Sequence, residues 1–293
     1  MQSGFVSVIG RPNVGKSTLV NSFLGKKVSI VADKPQTTRN RIHAILTTAN
    51  AQVIFLDTPG IHQPKHKLGD YMVKVARESL QGVDLLLFMV EATSPPRRGD
   101  RHIASLLHGQ KTPVFLVINK MDLAPPDFRE RWLPLYLQLY TFKKHFLVTA
   151  RQRKGLEPLL EEIVQVLPPG PLYYPPEFAT DRPEEFLVGE IIREKIILQT
   201  REEVPHAVAV EVEHMQPRAG KDLIDVRAVI YVERDSQKLI LIGKKGRMLK
   251  EIGTAARLEL ERILGSRLFL NLWVKVKKDW RRKEGHLHQF GYS

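Results

Sequence analysis

The chain has 293 residues, 43% hydrophobic and 26% charged. Those values are ordinary for globular protein and long enough for two domains, so they exclude a largely disordered, fibrous or membrane-spanning polypeptide. Lysine and arginine number 45 against 32 acidic residues, a net charge of +13. This surplus favours an anionic partner, nucleic acid or an acidic membrane surface, although a generally basic surface gives the same total.

Cysteine is absent, which excludes disulfides, thiolate metal sites and a cysteine nucleophile and fits a reducing cytosol. The N-terminus, MQSGFVSVIG, lacks the basic and apolar pattern of a signal peptide. The longest apolar run, Leu85 to Val90, is far short of the roughly 20 residues of a membrane helix.

Up to about Val166, apolar runs (FVSVIG, QVIFLD, VDLLLFMV, PVFLVIN, HFLVTA) alternate with segments of helical length. Runs without polar alternation predict strands buried on both faces, and the strand–helix rhythm predicts an α/β domain with a mostly parallel sheet. LPPGPLYYPP, residues 167–176, carries five prolines and predicts a linker. Beyond it, the pattern predicts an amphipathic helix to about Gln199, the strands HAVAVEVEHM and LIDVRAVIYVE, a helix from Arg247 to about Leu264, and the strand LFLNLWVKVK. That is a small α+β domain. The expected boundaries are 1–168, a linker at 169–183, 184–280, and a basic tail at 281–293.

Gly10 to Ser17, GRPNVGKS, fits G-x-x-x-x-G-K-[ST] between a strand and a helix. Glycines at 10 and 15 let successive N–H groups of Asn13, Val14 and their neighbours curl around a phosphate, and the helix N-terminus adds positive potential. Lys16 supplies a cation to the β- and γ-phosphates, Ser17 a hydroxyl to Mg²⁺, and Thr18 continues the cradle. Asp57-Thr58-Pro59-Gly60 ends QVIFLD, placing Asp57 in reach of the metal sphere and the Gly60 N–H in reach of the γ-phosphate. Alone, DTPG is an ordinary turn. Asn119-Lys120-Met121-Asp122 ends PVFLVIN. The Asp122 carboxylate suits the paired N–H donors of guanine and Asn119 the other base edge, which predicts GTP over ATP. Thr149 and Ala150 end the next strand, where a backbone N–H can meet guanine O6.

Leu241 to Ile252, LIGKKGRMLKEI, resembles the K-homology signature. Gly243 and Gly246 permit close backbone approach to a sugar-phosphate chain, Lys244 and Lys245 add charge, and Ile242, Arg247 and Lys250 flank them. Leu249 and Ile252, at helical spacing, are expected in the core. In the tail, Lys275, Lys277 and Trp280 interleave cations with an aromatic ring, which suits phosphate contact and base stacking, or a solvated terminus. Net charge is +10 over residues 1–170, −6 over 171–235 and +9 over 236–293, so the second domain is polarised and turns positive at GKKG.

The order GRPNVGKST, PQTTR, DTPG, NKMD, VTA, followed by IGKKG, resembles the Era family of ribosome-assembly GTPases over essentially the whole chain. The resemblance implies a P-loop GTPase domain followed by a type II KH domain. It implies GTP hydrolysis with Mg²⁺, with Lys16, Thr38 and Gly60 as catalytic residues and Ser17, Thr38 and Asp57 on the metal. Thr38 matches the family's switch threonine, with Thr37 the adjacent candidate, and switch segments would span about 28–41 and 57–72. Asn13 matches a position that supports a potassium ion in related GTPases. The implied partners are small-subunit rRNA near its 3′ end and the 30S subunit, for a free monomer in the cytoplasm. Apart from the resemblance, the same basic stripe also suits a peripheral contact with anionic lipid.

One departure bears on mechanism. Many GTPases carry glutamine directly after D-x-x-G, and Ile61 stands there. Its side chain neither donates nor accepts, so slow intrinsic hydrolysis is expected, with water positioned by backbone, a monovalent cation or a partner. His62 follows, and a loop histidine is more often solvated than a base. Two other classes stand beside the leading reading: a GTPase acting at a membrane or on a protein effector, and a metabolic P-loop kinase, in which NKMD would have no task.

Overall fold

The computed structural model describes residues 1–61, 64 and 66–292; His62 lies outside them. The chain divides into two compact units. One comprises Met1–Ser29, Thr38–Pro64 and Met72–Asp181, and the other Ile30–Thr37, Lys65–Tyr71 and Arg182–Ser293.

In chain order the first unit contains β1 (Gln2–Gly10), α1 (Lys16–Leu24), β2 (Ile42–Thr47) and β3 (Ala51–Asp57). Most of α2 (Lys67–Glu78) follows, then β4 (Leu85–Glu91), α3 (Arg98–Leu106) and β5 (Val114–Asn119). Two short helices, α4 (Phe128–Arg131) and α5 (Leu133–Leu137), precede β6 (Lys144–Leu147) and α6 (Leu156–Val166). The sheet order is β2-β3-β1-β4-β5-β6, parallel except for β2. The sequence pattern does not flag β2, an edge strand of six residues of which three, Ile42, Ala44 and Ile45, are buried.

Strands β3, β4 and β5 are buried at every residue, as expected of strands covered on both faces. Val8, Leu87 and Phe115 pack on one face with Leu19 of α1 and Leu159 of α6. Ile9, Phe88 and Leu116 pack on the other with Ala76 of α2 and Ile103 of α3. Truncating one such leucine to alanine costs about 2–5 kcal/mol. The parallel strands all end at one edge of the sheet, where loops gather for ligand binding. The proline stretch belongs to this unit: the Tyr173 and Tyr174 amides donate to Gln52 Oε1 at 2.8 and 3.0 Å.

The second unit contains α7 (Glu184–Gln199), β7 (Ala209–Pro217), β8 (Leu223–Val232), α8 (Asp235–Ile242), α9 (Arg247–Leu264), β9 (Arg267–Val276) and α10 (Glu284–Gln289). Its sheet runs β7-β8-β9, with β7 antiparallel and β9 parallel to β8. Ile192 and Ile196 of α7, Ile252 and Leu260 of α9, and Val226 and Ile230 of β8 form its core. The apolar LILI before GKKG is helical, and Gly265 ends α9 in the left-handed region at φ 71°. Ile30 joins this core, and the Val31 amide donates to Glu194 Oε1 at 2.8 Å. The expected basic tail is folded instead: Arg281 pairs with Glu233, and Leu287 and Tyr292 are buried.

Candidate nucleotide-binding and RNA-binding sites

The turn from β1 into α1 has the backbone that the glycine spacing demands. Gly15 has φ 103°, and a Cβ there would lie 2.3 Å from Asn119 Nδ2. At Gly10 a Cβ would lie 2.4 Å from the Met89 carbonyl oxygen. No side chain caps α1, so its first N–H groups are left for a ligand, with Val14 buried beneath them and Thr18 in the first turn. Lys16 folds back over this loop and donates to the carbonyls of Gly10 (3.3 Å) and Arg11 (3.0 Å). Burial pushes its ammonium group down to about 8, against the pull of Asp57.

Ser17 Oγ and Thr38 Oγ1 lie 2.9 Å apart, whereas the Thr37 hydroxyl donates to the Lys34 carbonyl at 2.6 Å. Of the two adjacent threonines, Thr38 is therefore the one facing Ser17. Asp57 is fully buried, and neither carboxylate oxygen has a hydrogen-bond partner. Burial raises its carboxyl above the ordinary value. Two hydroxyls and an orphaned carboxylate are hard oxygen donors, and such a set could hold Mg²⁺. Thr58 spends its hydroxyl on the Val8 carbonyl at 2.8 Å, which fixes the turn through Pro59. Gly60 approaches the phosphate loop so closely that a Cβ would meet Pro12 N at 2.5 Å. Ile61 is 4% exposed and packs in the apolar cluster around Phe88.

Asn119 ties three loops together. Its Nδ2 donates to the Val14 carbonyl and its Oδ1 accepts from the Ala150 amide, each at 2.9 Å. The amide retains one further hydrogen for a base. Lys120 Nζ donates to the Asn13 carbonyl at 2.8 Å, Asp122 is exposed, and the Thr149 amide is paired with the Lys154 carbonyl at 3.0 Å. Glu91 and Asp100 also contact these loops through Arg11 of the phosphate loop and Lys120, and no motif points to either carboxylate.

In the second unit, a groove of about 350 Å³ is lined by Gly246, Leu249, Lys250, Thr254, Arg257 and Leu272, among others. Gly243 (φ 70°) and Gly246 (φ 78°) shape its rim, with Lys244 and Lys245 exposed between them and Arg247 paired with Glu251 at 2.8 Å. Ile252 is core as expected, whereas Leu249 lines the groove.

Four expected RNA residues lie elsewhere. The Ile242 side chain packs against the core. Lys275 stands on the sheet face opposite Leu270 and Leu272, because side chains alternate along β9, and it pairs with Glu213 at 3.4 Å. The Lys277 ammonium sits 5.1 Å from the Phe290 ring centre and 5.5 Å from that of Tyr231. Trp280 is fully buried and donates to the Ala207 carbonyl at 2.8 Å, so its ring is closed to a base. Thr254, Arg257, Leu270 and Leu272 were not anticipated. The one available signal was that 250, 254 and 257 fall on one helical face.

The family described as 50S ribosome-binding GTPase matches residues 5–120, and the KH domain family matches residues 203–281. GTPase Era of Heliobacterium modesticaldum is 52% identical over 295 aligned positions, covering 100% of this chain and 98% of that protein. The chain belongs to the Era family of GTPases. Among solved structures, a variant of Aquifex aeolicus Era bound to GDP·AlF4⁻ superimposes with a TM-score of 0.94 at 41% identity, covering all of both chains. Era in complex with MgGDPNP and nucleotides 1506–1542 of 16S ribosomal RNA superimposes at 0.95 with 42% identity, covering 100% of this chain and 99% of that one. These Era structures share both units with this chain, a P-loop GTPase domain and a KH domain.

Proposed function

We propose that this Era-family protein is a GTP-hydrolysing switch that binds small-subunit rRNA near its 3′ end through the GKKG groove and assists assembly of the 30S subunit in the cytoplasm. The observation that carries this reading is the full-length likeness to Era in complex with MgGDPNP and nucleotides 1506–1542 of 16S ribosomal RNA. Both sites are furnished for it. Lys16, the α1 N-terminus and the Gly60 N–H would meet the phosphates, and Asn119 and Asp122 would meet the base. Ser17, Thr38 and Asp57 would hold Mg²⁺, which when bound would neutralise charge on the phosphate oxygens.

Thr38 also connects nucleotide state to the second unit. The residue before it, Thr37, accepts a hydrogen bond from the fully buried Arg193 of α7. Thr38 would be ordered when nucleotide and Mg²⁺ are bound, and because Thr37 beside it is tied to α7, nucleotide state would bias access to the RNA groove.

Ile61 offers no group to orient water. Intrinsic hydrolysis is therefore slow, and Asn13, which is exposed, is the residue that would hold a stimulating potassium ion. Single-turnover hydrolysis in potassium against sodium tests this, and a fast rate indifferent to the cation overturns it. For the RNA, Lys244→Asp combined with Lys245→Asp should lower affinity for a 16S 3′-end fragment by at least about 30-fold, about 2 kcal/mol. Unchanged RNA affinity with binding to anionic vesicles would favour the membrane reading. Among the described residues, no helix is long and apolar enough to cross a membrane.

A further inference from the structure

Glu91, the last residue of β4, has a side chain 12% exposed and lies between two loops that belong to different parts of the nucleotide site. Its Oε1 accepts from Arg11 Nη2 of the phosphate loop at 3.3 Å. Its Oε2 accepts from Lys120 Nζ of the base-reading loop at 2.7 Å. Lys120 also reaches across to the Asn13 carbonyl at 2.8 Å, so one ammonium group joins both loops and the carboxylate. Arg11 is held from its other side, donating from Nε to Asp100 Oδ1 at 2.8 Å. Asp100 is fully buried in the first turn of α3, where its second oxygen accepts from the Arg97 amide at 2.8 Å. The Arg97 guanidinium lies 3.8 Å from Glu91.

The backbone around this cluster is set by the sheet. Glu91 pairs with Asn119 in the β4–β5 register, and the Ala92 amide donates to the Asn119 carbonyl at 2.8 Å. Tyr136 Oη donates to the Glu91 carbonyl at 3.0 Å. Backbone and carboxylate of Glu91 are thus both fixed, while Lys120, which the carboxylate holds, and Asn13, whose carbonyl Lys120 meets, are in demanding conformations. Asn13 and Lys120 both sit in the left-handed region, at φ 66° and 62°, where a non-glycine residue is held only by its surroundings.

The charge balance explains what the carboxylate does there. Three cations, Arg11, Arg97 and Lys120, converge on Glu91. Without its negative charge, partly buried like charges would repel, and each would draw away from the others toward solvent. Arg11 would still have Asp100, but Lys120 would keep only a neutral carbonyl. The loop that reads the base would then be held to the phosphate loop only by Asn119 and by the bond from Lys120 to the Asn13 carbonyl, and its offset would loosen.

Resting on the guanine-nucleotide reading above, we propose that Glu91 is a positioning residue for nucleotide binding, whose carboxylate clamps the phosphate loop to the base-reading loop through Arg11 and Lys120. It touches no nucleotide atom in this role. Because the clamp sets the same loop geometry for diphosphate and triphosphate, it acts on binding and not on the chemical step.

The test measures equilibrium affinity for GDP and GTP with magnesium, and single-turnover hydrolysis at saturating GTP, in the full-length chain. Glu91→Gln keeps the shape and removes the charge. It should weaken GDP and GTP about equally, by 10- to 100-fold, with the saturated rate within about twofold of the parent. Glu91→Asp, which restores the charge, should recover most of the lost affinity. A double-mutant cycle of Glu91→Gln with Arg11→Met should be non-additive, because both remove the Arg11–Glu91 interaction. If Glu91→Gln is too unstable to assay, Arg11→Met alone should weaken GDP and GTP in parallel. Affinity in Glu91→Gln within twofold of the parent, or a loss of saturated rate with affinity intact, overturns the proposal. If the parent chain itself fails to bind GDP or GTP, the guanine-nucleotide reading fails, a result distinct from either.

Discussion

The two sites are built on opposite plans. The nucleotide site is a cluster of loops at one edge of a parallel sheet, each following a buried strand, so that distant segments converge through strand register. The groove proposed for RNA is a face, made of one side of α9 and one side of β9, and the GKKG turn marks only its rim. A loop site concentrates its chemistry in short contiguous motifs with strict backbone requirements. A groove spreads its contacts along two elements at helical and strand periodicity. Substitutions in the first should therefore be severe and local, and those in the second graded.

The largest effect is expected at Gly15. Alanine there combines φ 103° with a Cβ 2.3 Å from the Asn119 amide, so it strains the phosphate loop and displaces the residue that ties three loops together. Strain of about 1–3 kcal/mol at the backbone alone, plus the displaced amide, should weaken GDP and GTP by more than about 100-fold. RNA affinity of the nucleotide-free protein should stay within about twofold. Nucleotide titration and RNA binding on one preparation check both halves. Equal losses in the two assays would break the contrast by showing that the sites fail together.

Gly243→Ala asks how far the groove depends on its rim. Its φ of 70° and a Cβ 2.8 Å from the Met248 Cβ predict a loss of roughly 1–3 kcal/mol, seen as a lower unfolding midpoint of the second unit. Gly246, also at positive φ (78°), has open space around its Cβ, so alanine there should cost less. Denaturant unfolding of both variants against the parent gives the ranking. Backbone strain gives the same ranking, because Gly243 (φ 70°, ψ 177°) lies where essentially only glycine goes and Gly246 (φ 78°, ψ 10°) is ordinary left-handed backbone, so a reversed order would overturn both grounds.

What the sequence made legible follows the same division. GRPNVGKS, DTPG and NKMD could be placed because each is short and each ends an apolar strand. Glu91 and Asp100 could not, since Arg11 meets them only across 80 and 89 residues of chain, through the register of β1, β4 and the start of α3. Trp280 was misplaced for another reason. A tryptophan among lysines and arginines reads the same whether its ring stacks on a base or closes a core, and only its hydrogen bond to Ala207 decides. The strand β2 escaped because an edge strand of six residues lacks the continuous apolar run of its neighbours.

Arg257 tests the groove away from its motif. It lines the cavity while its guanidinium is held by Glu261 at 2.9 Å, so it is positioned before RNA arrives. Arg257→Ala should lower affinity for the 16S 3′-end fragment about tenfold, about 1.4 kcal/mol, and should flatten the salt dependence of binding. A filter-binding series at several salt concentrations measures both. No change in either would confine RNA contact to the GKKG rim.

The smallest expected effect is also the sharpest on geometry. Lys275 and Lys250 are both exposed cations of the positive C-terminal segment, and sequence alone gives them equal standing as phosphate contacts. The pleat separates them: Leu270 and Leu272 of β9 face the groove, so Lys275, an odd number of residues away, faces the other side and meets Glu213. Lys275→Ala should therefore leave RNA affinity within about twofold, and the lost exposed ion pair should change stability by less than about 1 kcal/mol. Lys250→Ala, on the groove wall, should cost several-fold and reduce the salt slope by about one phosphate contact. Equal losses for the two lysines would mean that RNA wraps the edge strand and reaches both faces of the sheet.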